Sequence, residues 1–220
     1  QTIVHEDADI DVAAPLCARN SMRLAGQSCI SVQSVLVHRS LFAEFSERVA
    51  AEVATLTFGD PLDAETDVGT LIDEAAAQRV EGWIDEAVRD GAKLLVAGRR
   101  AGAQLTPSVL TDVTPEMKVF CDEIFGPVVS ILAYDELDEA IALVNSSPYG
   151  LQCGVYTNSN TVTMRAIREI RYGGVIINGT STWRTDQLAY GGIKDSGSGR
   201  EGPRYAMREM TDERLILFNM

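Results

Sequence analysis

The chain has 220 residues, of which 45% are hydrophobic and 23% are charged, a composition typical of a globular protein with a sizeable core. Its 32 acidic and 19 basic residues give a net charge of −13, which disfavours nucleic acid and acidic membrane surfaces as partners. It contains no run of 18 apolar residues, so we predict no membrane-spanning segment.

Helices and strands alternate in the predicted chain. A helix capped by Asp9 or Asp11 runs to about Leu24, and further helices are predicted at about 40–56, 73–89, 136–145 and 160–169. Strands are predicted at 32–38, 93–97, 107–113, 128–134, 151–157 and 174–178, with 93–97 buried. Strands separated by helices of this length predict an α/β domain with a parallel sheet and helices on both faces.

The composition changes after Gly191, where small and polar residues dominate. Leu215–Phe218 follows as an isolated apolar segment, which predicts a C-terminal strand. We therefore expect a domain over residues 1–195 and a tail over 196–220. A terminal strand without a following helix is expected to pair outside its own domain.

Gly197, Gly199 and Gly202 match the Gly-x-Gly-x-x-Gly pattern of dinucleotide-binding loops. That motif must follow a strand and open a helix within a βαβ unit. Because Ile193–Ser196 does not read as a strand, we predict only a glycine-rich turn here.

The four cysteines, Cys17, Cys29, Cys121 and Cys153, form no Cys-x-x-Cys pair, which favours a reducing, cytoplasmic location over a disulfide scaffold. With only two histidines, the chain is not expected to bind a metal or to use a histidine-activated nucleophile. A single cysteine is usually buried and inert. Cys29 is the exception, because it lies in a short connection where reactive groups are often placed, and we predict that it is the nucleophile.

Glu123 and Phe125 stand two residues apart, before a Gly-Pro pair and an apolar strand. If this segment is extended, both side chains project from one face. That face would offer a carboxylate to sugar hydroxyls and a ring for stacking. The alternative is a solvated acid beside a core phenylalanine, and the spacing leaves both interpretations open.

Four motifs occur in order: Gly26-Gln27-Ser28-Cys29, Glu123-Ile124-Phe125-Gly126-Pro127, Asn145-Ser146-Ser147-Pro148-Tyr149-Gly150-Leu151, and the segment from Gly191 to Glu201. Over essentially its whole length, the chain resembles the C-terminal portion of the NAD(P)-dependent aldehyde dehydrogenase superfamily. The resemblance implies that the Cys29 thiolate attacks an aldehyde to form a thiohemiacetal and then a thioester, with its backbone N–H donating to the oxyanion. It also implies that NAD or NADP accepts the hydride, that Glu123 binds the nicotinamide ribose and that Phe125 packs beside it.

The resemblance places residues 181–187 in the family's variable substrate-entrance region. Trp183 and Arg184 are therefore candidate substrate contacts, and the alternative is a rim arginine paired with Asp186. A single positive charge in this region suggests a short aldehyde that carries a carboxylate, phosphonate or sulfonate.

One departure from the family concerns the residues before Cys29. Family members carry a coenzyme-binding domain, an oxyanion-hole asparagine and a general-base glutamate in a Glu-Leu-Gly-Gly segment before the catalytic cysteine. Glu6 is the only glutamate before Cys29, and its surroundings do not match. We therefore expect a catalytic domain without its coenzyme domain, inactive alone, whose parent is a homo-oligomeric aldehyde dehydrogenase. The alternative is a non-catalytic truncated module that acts only through its interfaces.

Overall fold

The computed structural model describes residues 1–220 and is built around a seven-stranded sheet. In chain order, the strands of the protein are β1 (Thr2–Val4), β2 (Ser34–His38), β3 (Lys93–Val96), β4 (Arg100–Ala101), β5 (Gln104–Leu105), β6 (Ser108–Thr111), β7 (Val128–Tyr134), β8 (Gln152–Tyr156) and β9 (Gly174–Ile177). The large sheet has the order β3-β6-β7-β2-β1-β8-β9, and β4 and β5 form a separate hairpin. All neighbours in the large sheet are parallel except β3 and β6, which confirms the predicted α/β class.

The chain has seven α-helices, of which the first six connect strands and the last follows β9: α1 (Ile10–Met22), α2 (Arg39–Ala54), α3 (Glu74–Arg89), α4 (Lys118–Cys121), α5 (Leu137–Ser146), α6 (Asn160–Glu169) and α7 (Pro203–Glu209). Asp9 caps α1 and Asp73 caps α3, because each side chain accepts a hydrogen bond from a backbone N–H of the first turn. The cap of α2 is His38 instead of the predicted Ser40, because the imidazole accepts from the Ser40 N–H. None of these helices could span a membrane.

Two apolar layers cover the faces of the sheet. Val35 and Val37 of β2 point toward α1 and α2, whereas Leu36 between them points toward the layer that contains α3, α5 and α6. This alternation follows from the twofold period of a strand. The predicted covering of both faces by helices is thereby confirmed.

Two elements differ from the sequence-based expectations. Strand β3 is exposed instead of buried, because it lies at the edge of the sheet and pairs only with β6. Strand β1 is absent from the predicted strands, because three residues are too few to show a periodic pattern. Leu215–Phe218 is 65 to 93% exposed and pairs with no strand of its own chain, so its pairing outside the domain stays a prediction.

The glycine-rich segment is a turn, as predicted. Gly197, Gly199 and Gly202 have φ values of 105°, 81° and 119°, and the segment follows a short 3₁₀ turn instead of a strand. The residues just after position 195 contact the sheet domain, because the Ser196 hydroxyl accepts from the Gly150 N–H and Arg200 donates to the Gly192 carbonyl.

Candidate active site

Cys29 lies in the turn that joins a 3₁₀ helix (Arg23–Gly26) to strand β2. The turn is closed by a 2.9 Å hydrogen bond from the Ser31 N–H to the Ser28 carbonyl. The Cys29 residue is exposed, and its backbone N–H has no hydrogen-bond partner within the chain. An exposed thiol beside an unpaired N–H is an arrangement that suits a nucleophile whose attack generates an oxyanion.

Gly26 brings this turn against the segment that precedes β7. Its φ of 71° is in the left-handed region, and a β-carbon at this position would lie 1.8 Å from the Gly126 carbonyl oxygen. Only glycine fits such a close approach without displacement of the backbone. The chain therefore holds Cys29 next to the residues around Gly126.

Two glutamine side chains fix the neighbouring loops by binding their backbones. The Gln27 amide donates to the Thr70 carbonyl over 3.2 Å and accepts from the Ile72 N–H over 2.8 Å. The Gln33 amide donates to the Asp122 carbonyl over 2.5 Å and accepts from the Ile124 N–H over 3.0 Å. These contacts were missed in the sequence analysis, although an amide on either side of a candidate nucleophile is a usable signal.

Glu123 lines, with Cys29, a cavity of about 230 Å³ and a smaller cavity beside it, and Phe125 lines the smaller one. The segment is not extended at Phe125, whose φ is 48°, so a shared strand face does not account for the proximity of Glu123 and Phe125. The Glu123 carboxylate has no hydrogen-bond partner in the chain. Burial raises its pKa, and the charge of Arg79 opposes this effect. Such a group is a free acceptor at the edge of the cavity.

Arg184 is held away from the cavity by two contacts. Its guanidinium donates to the Glu201 carboxylate over 2.8 Å and lies with its carbon 4.2 Å from the centre of the Tyr190 ring. The alternative pairing with Asp186 is therefore wrong. Trp183 is 50% exposed and lines neither cavity that contains Cys29.

Tyr190 connects Arg184 to Cys29 and was missed in the sequence analysis. Its hydroxyl oxygen lies 3.2 Å from the Cys29 sulfur, and the residue is only 8% exposed. Two backbone hydrogen bonds with Glu201, of 3.1 Å and 2.6 Å, fix its position. The structure thus brings Cys29, Glu123 and Phe125 together. Arg184 lies outside this group, on the other side of Tyr190 from Cys29.

The remaining two motifs frame the larger cavity. The Lys194 ammonium donates to the carbonyls of Asn145, Ser147 and Tyr149 over 3.0 to 3.4 Å. Ser147, Tyr149 and Ser196 also line the cavity. The two motifs therefore bind each other and form one wall.

The other three cysteines have different surroundings from Cys29. Cys17 and Cys153 are buried, and burial raises the pKa of their thiols to about 12 and about 11. Cys121 is half-buried, and desolvation followed by the charge of Asp122 raises its pKa. The neutral and less reactive form of each of these three thiols is thus favoured.

The sequence comparisons all match this chain to aldehyde dehydrogenases. The aldehyde dehydrogenase family model matches residues 1–216. A 3-sulfolactaldehyde dehydrogenase of Priestia megaterium is 48% identical over 219 residues, which are 100% of this chain and 46% of the relative. A lactaldehyde dehydrogenase of Methanococcus vannielii is 38% identical over 99% of this chain and 46% of the relative.

Solved structures agree. Glyceraldehyde-3-phosphate dehydrogenase GapN from Methanocaldococcus jannaschii, complexed with NADP, has a TM-score of 0.93 and 38% identity, covering 96% of this chain and 46% of that one. Aldehyde dehydrogenase 21 from Physcomitrella patens, in complex with its reaction product succinate, has a TM-score of 0.90 and 38% identity, covering 95% and 44%. The chain spans a little less than half the length of these proteins.

Proposed function

Because the chain belongs to the aldehyde dehydrogenase family, we propose that it is the thiol-bearing part of an enzyme that oxidises an aldehyde to a carboxylic acid with NAD or NADP. One observation carries this proposal. The exposed Cys29 thiol, with an unpaired backbone N–H, shares a cavity with the unpaired Glu123 carboxylate.

In the proposed reaction, the Cys29 thiolate adds to the carbonyl carbon, so that a carbon–sulfur bond forms and the oxygen becomes anionic. The Cys29 N–H is free to donate a hydrogen bond to this oxygen. When bound, NAD or NADP would supply the acceptor for the hydride that leaves this carbon. The thioester left on Cys29 is then hydrolysed by water, which releases the acid and restores the thiol.

The residues around Cys29 fit the nicotinamide end of such a coenzyme. The Glu123 carboxylate is partly desolvated and lacks a partner, and hydroxyl donors of a ribose would stabilise its charged form. The Phe125 ring is 39% exposed and is available to pack against a planar group. Glu123 and Phe125 are therefore the proposed coenzyme-binding residues, for NAD and NADP alike.

We propose a short anionic aldehyde as the substrate. The relatives named for 3-sulfolactaldehyde and glyceraldehyde 3-phosphate, and the one bound to succinate, act on or hold compounds with a sulfonate, phosphate or carboxylate group. The Arg184 guanidinium is a matching cation, separated from Cys29 in space only by Tyr190, but it is paired with the Glu201 carboxylate. The substrate anion would therefore replace Glu201, with Trp183 as an adjacent apolar wall.

The proposed enzyme is a cytoplasmic homo-oligomer. Leu215–Phe218 presents four adjacent exposed apolar side chains, which suits association with another subunit. All four cysteines are free thiols, as is usual in a reducing compartment.

The proposal is tested in a complete aldehyde dehydrogenase that contains this segment. Cys29→Ala should lower turnover at least about 10³-fold, because loss of a nucleophile removes the covalent route, whereas Cys121→Ala should retain activity. Turnover that survives Cys29→Ala would refute the proposal. By itself, the 220-residue chain should not reduce NAD or NADP above a Cys29→Ala control, because its proposed contacts reach only the nicotinamide end and too little binding energy remains for an ordered complex.

A further inference from the structure

The Cys29 sulfur has one hydrogen-bond partner within the chain, the hydroxyl of Tyr190. The two residues are 161 positions apart, so the contact depends on the tertiary fold. Tyr190 is almost completely buried, and its backbone is fixed to Glu201 by hydrogen bonds in both directions. The hydroxyl is therefore presented to the sulfur from a rigid support.

We propose that Tyr190 is a positioning residue for Cys29, whose hydroxyl donates a hydrogen bond to the sulfur, holds it in one orientation and favours the thiolate. The proposal rests on the proposed role of Cys29 as nucleophile. Tyr190 directly precedes the Gly191–Gly192 pair, and the sequence motif did not suggest a role for it.

The direction of the hydrogen bond follows from the protonation state of the phenol. Burial, followed by the neighbouring Cys29 thiol, raises the pKa of Tyr190, so the phenol keeps its proton at neutral pH. A thiolate can only accept a hydrogen bond, and a neutral phenol can donate one. The Arg184 cation over the ring acts in the opposite direction on the Tyr190 pKa and makes the hydroxyl a stronger donor.

The surroundings of Cys29 make such a donor important. The titratable side chains that line the larger cavity with Cys29 are those of Cys121, Asp122, Glu123, Tyr149, Tyr172 and Asp195. None of these side chains is a cation, and the three carboxylates disfavour a neighbouring thiolate. Gln1 also lines the cavity, and burial lowers the pKa of its α-amino group, which disfavours the charged form of that group as well. His38 lies at the opposite end of β2, and the His5 ring lies beside it at a centroid distance of 6.1 Å, so no imidazole assists the thiol. The Tyr190 hydroxyl is the only hydrogen-bond partner of the sulfur within the chain, and as a donor it favours the thiolate.

The test measures the rate of Cys29 alkylation by iodoacetamide in the 220-residue chain between pH 6.5 and pH 10. Tyr190→Phe removes only the hydroxyl, and Tyr205→Phe removes a hydroxyl that has no hydrogen-bond partner, as a matched control. Near pH 7 the Tyr190→Phe rate should be about three- to tenfold below that of the unmodified chain, because a hydrogen bond to a charged acceptor is lost. Near pH 10 the deficit should vanish or reverse, since a thiolate without a donor is intrinsically more nucleophilic.

A second variant, Arg184→Met, should show a smaller deficit with the same dependence on pH, because it weakens the donor without removing it. A deficit in Tyr190→Phe that is equal at all pH values, or no deficit, would overturn the proposal, since a purely structural role is not sensitive to thiol ionisation. These outcomes differ from failure of the proposed function, in which the unmodified chain would show no preferential alkylation of Cys29.

Discussion

Gly26 and Gly126 approach so closely that the carbonyl oxygen of Gly126 occupies the place of a side chain on Gly26. This contact joins the turn that carries Cys29 to the segment that carries Glu123 and Phe125. The two segments precede β2 and β7, which are neighbours in the sheet. The proposed nucleophile and the proposed coenzyme-binding residues thus share one end of the sheet.

Gly26→Ala should destabilise the chain by more than about 2 kcal/mol, because it adds strain at a left-handed φ to an overlap with backbone. Urea unfolding measures the effect. Gly82→Ala is a suitable control, since Gly82 lies in α3 with no neighbouring atom in the path of a β-carbon, and it should be neutral or stabilising by up to about 1 kcal/mol. Equal stability of the two variants would contradict this account.

Iodoacetamide at neutral pH should modify Cys29 before the other three cysteines. Cys17 and Cys153 are buried with raised pKa values, so they should react only when the chain unfolds, and half-buried Cys121 should react at an intermediate rate. Peptide mass spectrometry gives the order directly. Faster modification of Cys121, or equal rates for all four, would argue against Cys29 as the proposed nucleophile.

In a complete enzyme that contains this segment, Arg184→Gln should raise KM about tenfold for anionic aldehydes and leave KM for a neutral aldehyde nearly unchanged. Glu201→Gln should lower KM for anionic aldehydes, because it frees the guanidinium that Glu201 occupies. Arg204→Gln, in the exposed face of α7, is the charge-matched control. An unchanged ratio of anionic to neutral KM in both site variants would exclude Arg184 from substrate binding.

Asp7→Asn should destabilise the chain by about 1 kcal/mol at pH 7. Although burial acts in the opposite direction, hydrogen bonds from Thr157, His5 and the Asn158 N–H lower the pKa of Asp7. A carboxyl with a lowered pKa in the folded state stabilises that state above its unfolded pKa of about 3.9, and the contribution is lost as pH falls through the folded pKa.

The difference between the unmodified chain and Asp7→Asn, measured by urea unfolding, should therefore narrow below about pH 4. Asp85→Asn removes an exposed carboxylate without a hydrogen-bond partner and should have little effect at any pH. A constant difference between pH 7 and pH 3.5 would show that the Asp7 charge is not responsible.

Much of the fold could be predicted where local signals are strong. The bounds of β7 and α6 match the predicted 128–134 and 160–169, since Gly126-Pro127 ends the preceding segment and Ser159 caps the helix. The edge position of β3 could not be predicted, because an apolar run does not reveal which strands flank it. The residues around Cys29 predicted that it lies in a short connection after a helix, and in the structure it lies between the 3₁₀ helix and β2.

The remaining features depend on contacts between distant residues. The pairing of Arg184 with Glu201 needs the backbone bridge between Tyr190 and Glu201, so the nearer Asp186 was the wrong candidate. The left-handed φ of Phe125 places a non-glycine residue in a conformation that no propensity favours. It is supported by hydrogen bonds of Gln33 and Arg79 to the backbone of Ile124.

Strand β1 has a consequence for the order of folding. It lies between β2 and β8, and Thr2 pairs with both Val35 and Gly154. During synthesis, β1 can join β2 early, but its other edge remains without a partner until the ribosome has made residues 152–156. Such long-range parallel pairing is slow, and an open edge in a nascent chain is a template for aggregation. The two parts of the sheet therefore unite late, and the open edge of β1 is available for wrong pairing until β8 has been made.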